Sequence, residues 1–152
     1  MIFVEIRPEL NAAPAPPLLE GAARLTLDLS GAPDADLTLV LTGDAEIQAL
    51  NRDFLGKDAP TDVLSFSAGE EADPETGRGY LGDVVISLPR AVEQAAAGGH
   101  AVEAEVQLLV VHGVLHLLGH DHAETEQKAR MWAAQTEVLE HLGISPAMIL
   151  HE

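Results

Sequence analysis

The sequence contains no cysteine in its 152 residues. This absence excludes disulfides, thiolate ligands for zinc and thiol nucleophiles. It is compatible with a reducing compartment, as expected of a cytoplasmic protein. Aromatic residues are also scarce at 3%, but hydrophobic residues make up 47% of the chain. A chain of this size and composition can bury one sizeable core.

Basic residues are few. The chain has 8 lysines and arginines against 25 aspartates and glutamates, a formal net charge of −17. Proteins that bind nucleic acid gain much of their affinity from basic surfaces that neutralise phosphate. The composition therefore argues against general, non-specific affinity for RNA. An RNA-directed function would need a local basic patch, a bound metal or a partner protein to supply the attraction.

The chain also lacks a long apolar run of the kind that spans a membrane. Its longest apolar stretch, residues 106–118, includes two histidines and fits a buried helix better. The first residues have neither the basic region nor the apolar region of a signal peptide. We expect a soluble cytoplasmic protein with no membrane partner.

Hydrophobic periodicity predicts the elements of secondary structure. Alternating or continuous apolar patterns predict strands at residues 1–7, 37–42, 61–67 and 81–88. Helical spacing predicts helices at 18–29, 45–55, 89–98, 102–118 and 123–142. No repeat, linker or second hydrophobic core is visible. We predict an α+β fold in one domain over residues 1–152, with a small mixed four-stranded sheet and about five helices.

The most informative segment is HGVLHLLGHDH at residues 112–122. His112 and His116 are four residues apart, so a helix projects both side chains from one face. Gly119 allows the chain to leave that helix in a left-handed turn, after which His122 can return as a third ligand. Three imidazoles leave one position open on a tetrahedral ion, as catalytic zinc sites do. We predict that His112, His116 and His122 bind one zinc ion, although imidazole also suits nickel, copper and iron.

Other interpretations of this segment stay open. A lone histidine in an apolar helix is usually a core residue, but burying several imidazoles without partners would cost a few kcal/mol. We predict that His120, on the turn between the ligands, faces solvent or substrate. Asp121 can accept a hydrogen bond from a ligand imidazole, or it can cap the last helix together with Glu124.

Gly113 bears on the reaction type. The spacing of the three histidines and Gly119 equals that of the metzincin proteases, in which a glutamate follows the first histidine as general base. Glycine cannot take that role, so a zinc peptidase would lack its usual base. A glycine inside a helix also costs about 1 kcal/mol relative to alanine. We expect close helix packing or space beside the ion to offset this cost.

Three segments together resemble the YbeY endoribonucleases of bacterial ribosomal RNA maturation. They are LNRDFLGKDAPTDVLSF at 50–66, LGDVVIS at 81–87 and the histidine segment. The resemblance implies an α+β domain with zinc at His112, His116 and His122. It also implies a single-strand endoribonuclease that matures the 3′ end of 16S rRNA and acts in ribosome quality control. The implied partners are ribosomal RNA and the ribosome or its proteins, with no DNA.

The sequence departs from this family at two positions. Family members often have tyrosine at the position of His120, and many have an arginine linked to catalysis at the position of Leu55. Arg52, one helical turn earlier, is our candidate for that catalytic role. Arg52 and Lys57 are also candidate RNA contacts, although surface charges are mostly solvated.

No general base is evident beside the predicted ligands. Two routes to RNA cleavage therefore stay open: attack of water at phosphorus, or attack of the neighbouring ribose 2′-hydroxyl. The alternatives from other classes are a zinc peptidase without the glutamate, and a non-catalytic ribosome-associated factor with a structural metal.

Overall fold

The computed structural model describes residues 1–68, 79–120 and 124–145. Within these ranges it has four strands and five helices. The strands are β1 (Ile2–Ile6), β2 (Asp36–Thr42), β3 (Val63–Ser67) and β4 (Tyr80–Ser87). The helices are α1 (Pro16–Leu29), α2 (Asp44–Leu55), α3 (Leu88–Gly98), α4 (Val102–Leu117) and α5 (Thr125–Leu142). The predicted α+β class is confirmed.

The four strands form one mixed sheet in the order β1-β2-β4-β3. β1, β2 and β4 run parallel to one another, and β3 runs antiparallel to β4 at the far edge. Among the described residues, β1 and β3 each pair with a strand on one side and form the two edges of the sheet.

The two faces of the sheet are covered by different helices. Alternate residues of a strand face opposite sides, and the buried residues divide accordingly into two clusters. The larger cluster joins one face to α1, α3, α4 and α5; its strand members include Leu37, Leu39, Leu41, Val84 and Ile86. The smaller cluster joins the other face to α2 and consists of Val40, Ile47, Leu64 and Val85. Helices α2 and α4 therefore lie on opposite faces of the sheet.

Helix α4 runs through the larger core and is anchored at both ends. Near its start, Glu105 is fully buried and its carboxyl oxygen lies 2.5 Å from His100 Nε2. At its end, the Gly119 amide donates to the His116 carbonyl and the His120 amide donates to the Leu115 carbonyl, both at 3.0 Å. This pair of bonds is a Schellman motif. Gly119 has φ = 99°, which confirms the left-handed turn predicted for it.

The last helix begins later than predicted. The N-cap residue of α5 is Glu124, and the helix starts at Thr125. Asp121, for which we predicted either a capping or a ligand-orienting role, lies outside the described residues. In the described part of the chain, no helix is both long enough and apolar enough to cross a bilayer.

Candidate metal centre

Helix α4 places His112 and His116 side by side, as their spacing predicts. Their Nε2 atoms are 3.2 Å apart, and their ring centroids are 4.7 Å apart at an interplanar angle of 73°. Both side chains are half-buried. The Nε2 atoms of the two imidazoles therefore lie next to each other.

This separation suits a shared metal ion. Two nitrogens bound to one tetrahedral zinc at bonds of about 2.0–2.1 Å stand about 3.3 Å apart. The same distance also suits a hydrogen bond from one Nε2–H to the other nitrogen's lone pair. Within the described residues, no group of three histidine, aspartate or glutamate side chains is placed to bind one ion. The predicted three-ligand site therefore depends on His122, which lies outside the described residues.

Helix α5 contributes a polar contact to the first histidine. The Nδ1 atom of His112 lies 3.0 Å from Oε1 of Gln135, whose side chain is almost completely buried. An amide oxygen accepts a hydrogen bond and a neutral imidazole has one N–H. The contact is therefore a hydrogen bond in the tautomer that carries its hydrogen on Nδ1.

The two histidines line a cavity of about 450 Å³ between the end of α4 and strand β3. Its other described lining residues are Thr61, Asp62, Val63, Leu64, Ser65, Ser67 and Leu117. Three residues of this lining carry a hydroxyl group and one carries a carboxylate. None of the described lining residues is lysine or arginine.

Gly113 packs against the sheet next to the two histidines. A Cβ atom there would overlap Cγ1 of Val84, and it would lie 3.2 Å from Cγ2 of Val84 and 3.3 Å from Oγ of Ser65. The Ser65 hydroxyl donates a 2.9 Å hydrogen bond to the Gly113 carbonyl. Close helix packing therefore accounts for the glycine, and the position has no room for the glutamate of a metzincin.

His120 follows the turn that ends α4. It is half-buried and lines a second, smaller cavity of about 280 Å³ with Leu118, Gly119, Gln127 and Arg130. His120 is thus not among the described residues that line the cavity of His112 and His116.

Comparison with known proteins gives a consistent result. The family model described as Endoribonuclease YbeY matches residues 18–143. An Endoribonuclease YbeY of Roseiflexus castenholzii is 40% identical, and the match covers 95% of this chain and 94% of that protein. Another, of Geobacillus kaustophilus, is 45% identical over 124 residues, covering 77% and 80% of the two chains. The solution structure of TM1509 from Thermotoga maritima is similar with a TM-score of 0.60, 26% identity and coverage of 93% and 91%.

The chain belongs to the YbeY endoribonuclease family. The first segment that resembles this family, residues 50–66, has a clear structural role. The Asn51 side chain is buried and donates a 2.9 Å hydrogen bond to the Ala59 carbonyl, and the Lys57 amide donates to the Asn51 carbonyl. These bonds fix the loop between α2 and β3, which carries the chain from one face of the YbeY sheet towards the cavity.

The two basic residues of this segment do not reach the histidines. Arg52 lies on α2 and is exposed, with its Nε donating to Asp53 Oδ1 at 3.0 Å; this bond raises the pKa of Arg52. Lys57 is exposed in the loop that follows. Neither is among the described residues that line the cavity of His112. Leu55, a position at which the sequence departs from the family resemblance, is exposed as well.

A larger cavity, of about 610 Å³, lies on the α2 face of the sheet. Its described lining combines apolar residues with three acidic residues and one arginine: Glu5, Arg7, Thr38, Val40, Glu46, Leu50, Phe54, Phe66, Tyr80, Asp83 and Val85. Hydrogen bonds from Arg7 and then from Thr42 lower the pKa of Glu46. Burial, followed by the hydrogen bond to Asp83, raises the pKa of Tyr80. No histidine is among these described residues, so the cavity of His112 and His116 remains the candidate metal centre.

The sequence did not identify two features of the centre. The polar wall that β3 contributes, with Ser65 at its middle, was interpreted only as part of a strand. The sequence does contain an indication that Gln135 is buried, because its neighbours on the same face of α5 are the apolar residues Met131, Val138 and Leu139, which are themselves buried. A polar residue in such a stripe requires a buried partner.

Proposed function

We propose that this chain is a zinc-dependent single-strand endoribonuclease. It acts in ribosomal RNA processing, at the 3′ end of 16S rRNA, and in ribosome quality control. The observation that carries the proposal is the pair of Nε2 atoms, 3.2 Å apart, that His112 and His116 present to a hydroxyl-lined cavity. Membership of a family whose relatives are named endoribonucleases supports the choice of RNA as substrate.

The histidines of the centre have a proposed chemical task. His112 and His116 would bind the ion, and His122 is the proposed third ligand. Zinc bound there would lower the pKa of a coordinated water to about 7 and polarise a phosphoryl oxygen. Ser65 and Ser67 line the same cavity, and the Ser65 hydroxyl donates to the Gly113 carbonyl beside the proposed ligands.

Electrostatics favour a partner-assisted encounter with RNA. The net charge of −17 repels polyanions, and the cavity has no lysine or arginine among its described lining residues. A bound divalent ion would supply local positive charge. We therefore propose that the ribosome or a ribosomal protein, in the cytoplasm, brings this acidic chain to its RNA.

The first test compares metal content and RNA cleavage in three proteins without a His-tag: wild type, His116→Ala and His141→Ala. His141 is an exposed histidine near the end of α5 and serves as the matched control. We expect about one zinc per chain in the wild type and in the control. His116→Ala should lose zinc and cleavage but keep its circular dichroism spectrum. Cleavage of single-stranded RNA by the zinc-free variant would contradict the proposal.

The second test analyses the ends of the cleaved RNA. Attack of water at phosphorus leaves a linear phosphate, whereas attack of the ribose 2′-hydroxyl leaves a 2′,3′-cyclic phosphate. This measurement decides between the two routes.

The peptidase alternative is disfavoured by Gly113. Its missing Cβ leaves no space for a longer side chain between α4 and the sheet, so the glutamate of the metzincins has no counterpart there. A structural role for the metal makes a different prediction from a catalytic one. Removing zinc from a structural site unfolds the protein, whereas a catalytic site loses activity and keeps its fold.

A further inference from the structure

We propose that Gln135 is a positioning residue of the metal centre. Its side-chain oxygen holds His112 in the tautomer whose Nε2 lone pair faces the cavity. The inference rests on the proposed metal site at His112 and His116. Its tests measure tautomer and zinc affinity, so they are independent of RNA cleavage.

The geometry of the contact defines the tautomer. Gln135 is 1% exposed, and its Oε1 lies 3.0 Å from Nδ1 of His112 across the interface of α5 and α4. Since Oε1 can only accept, Nδ1 must carry the hydrogen. The nitrogen left without hydrogen is Nε2, the atom that lies 3.2 Å from Nε2 of His116. The same bond that orients the ring therefore directs its lone pair to the metal position.

Packing alone does not explain an amide at this position. Met131, Val138 and Leu139 lie on the same buried stripe of α5, and their burial gives α5 its apolar contact with the core. An amide in that stripe gives up its hydrogen bonds to water and must replace them with hydrogen bonds inside the protein. The bond to His112 supplies such a partner. Outer hydrogen bonds of this kind commonly fix the tautomer and orientation of metal-binding histidines.

Glutamine and glutamate differ in a way that makes the proposal testable. An amide has two ends, and a rotated amide would present N–H groups to Nδ1 and move the imidazole proton to Nε2, where it blocks the metal. An ionised carboxylate can only accept, so it holds the Nδ1–H tautomer and makes the imidazole a stronger ligand. Leucine has a similar volume and cannot accept at all.

The experiment uses zinc alone as the probe, on the full chain freed of metal by a chelator. Long-range nitrogen–proton NMR reports which ring nitrogen of His112 carries the hydrogen, and competition with a chelating dye reports zinc affinity. We expect hydrogen on Nδ1 in the wild type. Gln135→Leu should bind zinc about 10–100-fold more weakly, and Gln135→Glu at least as tightly as the wild type. Gln107→Leu, a half-buried glutamine on α4, is the matched control and should bind like the wild type.

Two results would overturn the proposal: hydrogen on Nε2 of His112 in the wild type, or unchanged zinc affinity in a folded Gln135→Leu. If Gln135→Leu does not fold, the remaining measurements decide. A Gln135→Glu protein that binds zinc tenfold more weakly than the wild type would then refute the assigned role. If the wild type binds no zinc, the proposed metal function fails, while the tautomer of its His112 still shows whether Gln135 sets it.

Discussion

Replacing Gly113 by alanine tests how closely α4 must approach the sheet. Helix propensity alone predicts that this change stabilises the protein by about 1 kcal/mol, because glycine is a poor residue for a helix interior. The structure predicts the opposite sign. The new Cβ would overlap a methyl group of Val84 and would press on the Ser65 hydroxyl at 3.3 Å.

The loss of stability depends on how far the side chains next to the new Cβ atom can move. Val84 is fully buried in a central strand, and its β-branched side chain has few rotamers to which it can move. Relief would therefore require a shift of α4 itself. Overpacking of this kind costs about 2–3 kcal/mol, and subtracting the propensity gain of about 1 leaves a net loss of about 1–2 kcal/mol. For a chain of this size, each kcal/mol lowers the Tm by about 2–4 °C.

The assay is urea and thermal unfolding of Gly113→Ala beside Gly21→Ala. Gly21 is exposed within α1, and no atom lies within 4 Å of where its Cβ would be. The control should gain up to about 1 kcal/mol of stability from propensity alone. Zinc content should also fall in Gly113→Ala, because a shift of α4 carries His112 with it. If both variants gain stability equally, the close-approach explanation of Gly113 is refuted.

Three further predictions concern the α2 face of the sheet. Arg7 lowers the pKa of Glu46, so the contact between them stabilises the protein at pH values above the pKa of an ordinary glutamate, and this stabilisation is lost as the pH falls through the lowered pKa. The free energy of unfolding should therefore fall less steeply with acid in Glu46→Gln than in the wild type. The difference should be small because the Glu46 side chain is 39% exposed. Asn51→Ala should lower the free energy of unfolding in urea by about 1–3 kcal/mol, because it removes a buried hydrogen bond to the loop that follows α2. A decrease below about 0.5 kcal/mol, the size expected of a surface substitution, would count against that role. Arg52→Ala and Lys57→Ala should leave the zinc content unchanged. If each residue contacts one RNA phosphate, each substitution should lower the slope of log affinity for RNA against log salt concentration by about one.

Features that depend on local geometry could be predicted from the sequence. The described helices and strands begin and end within about two residues of the bounds that periodicity indicated. The pairing of His112 with His116 follows from the helical repeat, and the turn at Gly119 follows from the steric freedom of glycine. Each of these conclusions needs only residues that are close in the chain.

Features that depend on how distant segments pack could not be predicted in the same way. Arg52 and Lys57 precede a strand that lines the histidine cavity, yet α2 lies on the opposite face of the sheet. Gln135 reaches His112 from 23 residues away because α5 packs on α4. The sequence shows that a buried amide needs a partner, but only the packed helices show which partner it has.

The alternation of β3 has a consequence for how this fold tolerates insertions and deletions. Ser65 contacts the helix of the histidines, while Leu64 and Phe66 pack on the α2 side. An insertion or deletion of one residue within β3 would turn each of its side chains to the opposite face of the sheet. The ring of Phe66 would then lie at the cavity and the hydroxyl of Ser65 in the smaller core. The register is also fixed sterically, because any side chain at Gly82 would collide with the Phe66 carbonyl. Length changes within β3 should therefore be rare among active relatives.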